Sequence, residues 1–192
     1  MCGICGEIRF DSQPVEPDRL QKMNDSMAAR GPDDQGISLQ GNRGFGHRRL
    51  RIMDLGAASQ QPMIDPQLGL GIVFNGAIYN YPTLRTELQQ SGYTFYSDGD
   101  TEVVLKAYHA WGEACVNRLE GMFAFAIWDG KKRQLFLARD RVGIKPLYYL
   151  QQPGLFAFAS EMQAFRQLDA FAPTIDHQAI DLYLHYQYIP AP

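Results

Sequence analysis

Apolar and polar positions along this chain switch between a period of two and a period near 3.6, and the switches mark out its elements. Residues 3–10 read as a strand entering a core, with turn residues following over 11–14. Leu20, Met23 and Met27 then recur at helical spacing behind Pro17, which predicts a helix over 19–30 that Arg30-Gly31-Pro32-Asp33 stops. A strand is predicted over 44–53, a long polar loop over 56–71, and a strand over 70–74 ending in the turn Asn75-Gly76. Two helices follow. The first, 82–90, starts with Pro82 in the first turn, where a missing N–H costs nothing. The second, 100–111, carries Val103, Val104, Ala107, Tyr108 and Trp111 on one face, with Asp100 placed as N-cap and Gly112 as stop.

The stretch Met-Phe-Ala-Phe-Ala-Ile-Trp over 122–128 is apolar at every position, so both faces of that strand must be covered. With 134–138 and the polar turn 129–132 it predicts a hairpin, and 147–149 with 155–159 a further pair. Helices over 160–168 and 175–186 precede Pro190 and Pro192. Central strands buried on both faces, with helices inserted in pairs, predict two sheets stacked together with helices outside. No repeat or low-complexity stretch interrupts this plan, and the last strand signal is at Ala159.

Composition narrows the function classes. At 192 residues, 45% hydrophobic and 20% charged, the chain has ample length to bury a core. A net charge of −3 argues against nucleic acid or an anionic membrane as partner, and no apolar run is long enough for a membrane span. Arg9, Asp11 and Glu16 interrupt any secretory signal early, which makes the cytoplasm the expected location. Three cysteines, Cys2, Cys5 and Cys115, are an odd count for a disulfide framework. Cys2 and Cys5 form a C-x-x-C, which could serve as a redox pair or as half of a zinc site. Against zinc, His47, His109, His177 and His185 show no ligand-like pairing, and no metal is expected in this domain.

Four clusters carry candidate chemistry. In Met1-Cys2-Gly3-Ile4, removal of Met1 makes Cys2 N-terminal. Its thiol (about 8.5) and its α-amine (about 8) titrate close together, so one residue supplies nucleophile and base; the bland alternative is a buried thiol. Gly46-His47-Arg48-Arg49-Leu50-Arg51-Ile52 offers guanidinium to a carboxylate, or is simply a solvated strand end. Phe74-Asn75-Gly76-Ala77-Ile78-Tyr79-Asn80 offers an amide NH₂ and a glycine N–H to an oxyanion, or is an ordinary Asn-Gly hairpin turn. Ser97-Asp98-Gly99-Asp100-Thr101-Glu102 places carboxylates where they could take a substrate ammonium, or merely cap a helix.

Their joint order is more specific than any one of them. The series M-C-G-I, R-G-P-D, H-R-R-L, N-G-x-I-Y-N, D-x-D-T-E, G-M-F-A-F-A and R-D-R-x-G-I-K-P-L-Y-Y resembles the class II glutamine amidotransferases. More narrowly it resembles the N-terminal half of glutamine-hydrolysing asparagine synthetases, over almost the whole chain. The resemblance implies an α+β fold over residues 1–174, the N-terminal-nucleophile four-layer αββα sandwich of two mostly antiparallel sheets, with 175–192 leading toward an ATP-dependent synthetase domain. It implies that Cys2 attacks the side-chain amide of L-glutamine with its own α-amine as base, and that Asn75 and Gly76 form the oxyanion hole. It further implies that Arg49 holds the substrate carboxylate and Asp100 its ammonium, while Leu50, Ile52, Met53 and Ala77 line the pocket. Arg30, Asp33 and residues 139–149 are implied as scaffold.

Two departures qualify it. Most asparagine synthetases read N-G-E-I-Y-N, and this chain has Ala77 in place of the glutamate that helps receive the ammonium. Gly-Glu-Ile-Arg-Phe-Asp, N-G-A-I-Y-N-Y and K-A-Y-H-A-W-G are similar to the enzymes that amidate N-acetylglutaminylglutamine. The S-G-G-x-D-S phosphate loop of the family's synthetase domain is also absent, so ATP and magnesium are expected to belong to a domain outside this chain. The ammonia acceptor (aspartate, N-acetylglutaminylglutamine or another carboxylate) and a homodimer stay open. The other function classes are a stand-alone N-terminal-nucleophile hydrolase, a non-catalytic glutamine-binding module, and a Cys2/Cys5 redox or metal module.

Overall fold

The computed structural model describes residues 1–51, 56–169 and 171–190. In chain order the elements are β1 (Gly3–Arg9), α1 (Pro17–Asp25), β2 (Asp34–Gln40), β3 (Arg43–Arg49), β4 (Met63–Asp65), β5 (Leu70–Ile78), α2 (Tyr81–Gln90), α3 (Asp100–Trp111), β6 (Gly121–Asp129), β7 (Gln134–Arg139), β8 (Tyr148–Gln152), β9 (Leu155–Ala159) and α4 (His177–Tyr186). Short 3₁₀ turns occupy Ala57–Ser59, Gly112–Arg118 and Met162–Gln167.

The strands form two antiparallel sheets, one ordered β2-β3-β1-β9-β8 and the other β4-β5-β6-β7. The unbroken apolar run of β6 explains the layering. Phe123, Phe125 and Ile127 point outward into a core with Leu84, Leu88, Val103, Val104 and Tyr108 of α2 and α3. Ala124 and Ala126, on the other face, meet Ile4, Phe45 and Phe158 of the first sheet. Alternating large and small residues lets a helix layer and a second sheet pack on one strand. The outer face of the first sheet carries Cys5, Ala157 and Ala159 against Leu20, Met23 and Met27 of α1 and its following turn. Helix, sheet, sheet and helix are thus the four layers.

Several expectations are corrected. Strand β2 was not predicted; it is an edge strand with only partial burial, so its polar side hides the alternation. Helix α1 ends at Asp25, where Ser26 Oγ donates to the Met23 carbonyl and the chain turns. The polar loop contains β4 and a 3₁₀ turn. Asn75-Gly76 is no hairpin turn: β5 runs on to Ile78, with Asn75 opposite Ala124 and Gly76 opposite Phe123. The predicted helix over 160–168 is only a 3₁₀ turn. Asp100 is the first helical residue and Gly99 the cap. Helix α4, capped by Asp176, has no buried residue. No helix among the described residues is long and apolar enough to cross a membrane.

His47 ties the two sheets together. Its Nε2–H donates to the Phe74 carbonyl at 3.2 Å, from β3 to β5. Burial pushes its pKa down from 6.5 to about 4. The unfolded ring therefore gains a proton where the folded one resists it. The stability from this neutral histidine is fully present above pH 6.5 and is lost as pH falls toward 4. Across that window it amounts to about 3 kcal/mol. Urea unfolding at pH 7, 6, 5 and 4 should show this slope, and His47→Gln should flatten it; an unchanged slope in the variant would place its source elsewhere.

Candidate functional site

The first turn of chain is fixed by the loop that follows α1. Arg30 Nε donates to the Cys2 carbonyl at 3.0 Å, while the α-amine of Met1 donates to the Arg30 carbonyl at 3.0 Å. Arg30 itself is held by Glu161 at 3.1 Å. Beside it, the Asp33 amide donates to the Arg49 carbonyl and Asp33 Oδ2 accepts from the Arg51 amide at 2.8 Å. A Cβ on Gly31 would sit 2.4 Å from the backbone of Arg48, so only glycine lets this loop close on the end of β3. The R-G-P-D motif is thereby accounted for as a clamp on both Cys2 and Arg49.

Cys2 lies half-buried at the start of β1, with the Leu50 amide donating to its sulfur at 3.4 Å. It opens onto a cavity of about 180 Å³ that also takes in Arg49, Leu50, Asn75, Gly76, Ala77 and Asp100. Of the residues marked out from sequence, Ile52 and Met53 lie outside the described residues. Arg49 donates to the Gly56 carbonyl at 3.2 and 3.3 Å. Asp100 Oδ2 accepts the Ile78 amide at 2.9 Å, which joins the start of α3 to the end of β5.

Asn75 is different. It is buried, and its Nδ2 has no hydrogen-bond partner among the described residues. A buried amide donor left unpaired costs roughly 1–3 kcal/mol, so its retention on the wall beside a thiol points to an acceptor that arrives with a ligand. Gly76 is required by packing as well: a Cβ there would lie 2.4 Å from the Met122 carbonyl.

Ser59 and Gln61 line the cavity outside every motif read from sequence, and Thr101, Met122 and Lys145 lie within those motifs but had no predicted place in the site. Gln61 braces the strand that carries Asn75, accepting from the Phe74 amide at 2.6 Å and donating to Thr101 Oγ1 at 3.2 Å. No local signal could have revealed it within a stretch that reads as polar loop. The segment before α3 is held by the buried pair Glu102–Lys106, with Glu102 also accepting from the Tyr96 and Ser97 amides and the Ser97 hydroxyl.

Cys5 does not share this cavity. It lies in the opposite layer, under α1, because strand residues of opposite parity face opposite sides. Burial pushes its thiol up to about 12, which makes it a poor nucleophile and a poor metal ligand at neutral pH. No cluster of three or more His, Cys, Asp or Glu side chains suited to a metal occurs among the described residues. A larger cavity of about 330 Å³ opens beside Phe45, Ile64 and Trp128, but among the described residues its lining holds no cysteine, and its one hydroxyl, Ser38, has no histidine or lysine beside it to act as base. Chemistry rather than size marks the smaller cavity as the candidate active site.

A family model described as a glutamine amidotransferase domain matches residues 1–192. The chain is 42% identical over 167 residues to asparagine synthetase [glutamine-hydrolyzing] 3 of Bacillus subtilis, covering 85% of this chain and 27% of that protein. It is 40% identical over 199 residues to asparagine synthetase [glutamine-hydrolyzing] 1 of the same organism, covering 100% of this chain and 30% of that protein. It thus spans less than a third of these relatives. Among solved structures, glutamine PRPP amidotransferase from B. subtilis superposes with a TM-score of 0.72 at 22% identity, over 86% of this chain and 43% of that one, which is a likeness of fold.

Proposed function

The chain belongs to the glutamine amidotransferase domain family, and we propose that it hydrolyses the side-chain amide of L-glutamine to glutamate and ammonia with Cys2 as N-terminal nucleophile. The observation that carries this reading is the unpaired Asn75 Nδ2 on the wall of the cavity into which Cys2 opens.

In this reading Met1 is removed first, since its carbonyl turns the Cys2 nitrogen into an amide without basicity. The freed α-amine takes the thiol proton, and the sulfur attacks the amide carbon of glutamine. Charge builds on the former carbonyl oxygen, and Asn75 Nδ2 with the Gly76 N–H receives it. The ammonium returns its proton to the leaving nitrogen, ammonia departs, and a thioester remains. Water, activated by the same amine, then releases glutamate and restores the thiol. Arg49 holds the α-carboxylate and Asp100 the α-ammonium, with Leu50, Ala77 and the undescribed Ile52 and Met53 as lining. Without a glutamate at position 77, Asp100 carries the ammonium more nearly alone.

We assign residues 1–174 to this glutaminase unit and 175–192, with the wholly unburied α4, to a passage toward an ATP- and magnesium-dependent synthetase domain. In the cytoplasm that domain would pass the ammonia to an activated carboxylate.

Intact-mass spectrometry before and after a diazo-ketone glutamine analogue tests the proposal. Loss of Met1 and a single adduct on Cys2, blocked by excess glutamine, is the expected result; a processed chain whose Cys2 stays unlabelled would count against it. Cys5→Ser should keep glutaminase activity within about three-fold of wild type, because that thiol faces the α1 layer. Abolished activity in a folded Cys5→Ser chain would favour a two-thiol mechanism.

A further inference from the structure

Lys145 is a cation in the wall of the candidate site whose charge the steps above leave unused. Its backbone is fixed on both sides: the amide donates to Asp140 Oδ2 at 3.0 Å and the carbonyl accepts from Arg139 Nε at 2.7 Å. Asp140 also accepts the amides of Phe123 and Ile144, which anchors the turn to β6. Burial pushes this carboxyl up, but the surrounding backbone amides outweigh it and hold it below its ordinary value, so it stays an anion fully used as a brace.

Lys145 is only 6% exposed and lines the same cavity as Cys2, Asn75 and Asp100. Among the described residues its ammonium makes one hydrogen bond and no ion pair, the hydrogen bond to the thioether sulfur of Met1 at 3.4 Å. A buried ammonium is ordinarily balanced by a carboxylate or by several oxygen acceptors, and a thioether is neither. Its one partner is also the residue that must leave. Removing Met1 empties the space beside the ammonium and turns the Cys2 nitrogen into a free amine, which five covalent bonds, at most roughly 6 Å, had separated from the sulfur.

We propose that Lys145 is a positioning charge for the Cys2 α-amine, keeping that amine unprotonated at neutral pH and therefore available as the base. This rests on the glutaminase reading. A like charge in a poorly solvated site disfavours a second one, by on the order of one pH unit for an amine nearby. An amine of about 8 is roughly one-tenth free at pH 7, and one of about 7 is half free. The same cation favours the thiolate that proton transfer leaves on Cys2. The other charges around this amine are Arg30 at the Cys2 carbonyl, with Glu161 paired behind it, and Arg49 and Asp100 across the cavity. Asp100 pulls the opposite way, and Lys145 is the cation on the side that Met1 vacates.

The test is the pH profile of kcat/KM for glutamine in the full chain lacking Met1, as wild type, Lys145→Met and Lys145→Arg. Lys145→Met should move the acid limb up by about one unit, costing roughly five-fold at pH 7 and almost nothing at pH 9. Lys145→Arg, which keeps the charge, should return the limb to its wild-type place. A limb that stays put, or a loss equal at every pH, overturns the proposal. If Lys145→Met does not fold, the wild type decides it through the rate of α-amine acylation against pH. Titration at about 7 supports the role, and titration at about 8 or above refutes it. A processed wild type that neither hydrolyses glutamine nor takes the diazo-ketone label sinks the glutaminase reading itself. An active wild type with an unmoved limb sinks only the role of Lys145.

Discussion

Cys2→Ala is expected to lower glutamine hydrolysis by about 10⁴-fold or more, to the level of a blank, while the chain still folds. Among the described residues the cavity holds no substitute nucleophile of comparable reactivity. Thr101 Oγ1 is tied to Gln61, the Ser59 hydroxyl has no α-amine of its own to act as base, and the remaining thiols lie elsewhere, Cys5 beneath α1 and Cys115 beside α3. Burial pushes those two up to about 12 and about 11. Folding should survive because Cys2 is half-buried and, among the described residues, its sulfur makes only two weak hydrogen bonds, both with the Leu50 backbone, at 3.4 and 3.7 Å; a loss within about 1 kcal/mol is expected. A chain that keeps Met1 should be equally inactive for a different reason, its thiol being present but its base masked. Iodoacetamide separates the two cases by modifying Cys2 in the unprocessed chain. Retention of more than about one part in a hundred of wild-type activity by Cys2→Ala would remove the covalent route from consideration.

What could be read from sequence follows the physics of each element. Continuous apolarity over β6 implied coverage on both faces, and that single inference yields the stacked sheets and outer helices. Helix α3 was legible end to end because its apolar face and its following glycine agree. Strand β2 was not, since an edge strand packed on one side buries Ile37 only in part and leaves Leu39 exposed among polar neighbours. The Asn75-Gly76 pair misled for a better reason. Its local preference is for a tight turn, but nine residues of ladder with β6 override it, and the close Met122 carbonyl rather than a turn explains the glycine. Within the site, most motif side chains were visible, whereas Ser59 and Gln61 lie outside every motif and Lys145, inside one, reaches the cavity only through tertiary packing. The C-x-x-C pattern could be interpreted only once parity had put Cys5 on the other face of β1.

Asn75→Ala should lower kcat for glutamine about 10²–10³-fold with KM changed by less than about three-fold, because a donor aimed at the oxyanion does its work in the transition state. The stability of the same variant discriminates sharply between roles. A structural asparagine in a strand interior would be hydrogen-bonded, and its loss would cost roughly 1–3 kcal/mol. Here Nδ2 is buried with no partner among the described residues, so removing it relieves an unpaired polar group and opens only a little space toward the cavity. Asn75→Ala is therefore expected to melt at or above the wild-type temperature while losing most of its activity. Such a pairing is what a pre-organised donor predicts, since a group poised for the transition state is left unsatisfied in the resting chain. A variant that melts several degrees lower and keeps kcat within ten-fold would make Asn75 a strut of the β5–β6 ladder. The oxyanion would then have to be held by backbone amides such as that of Gly76.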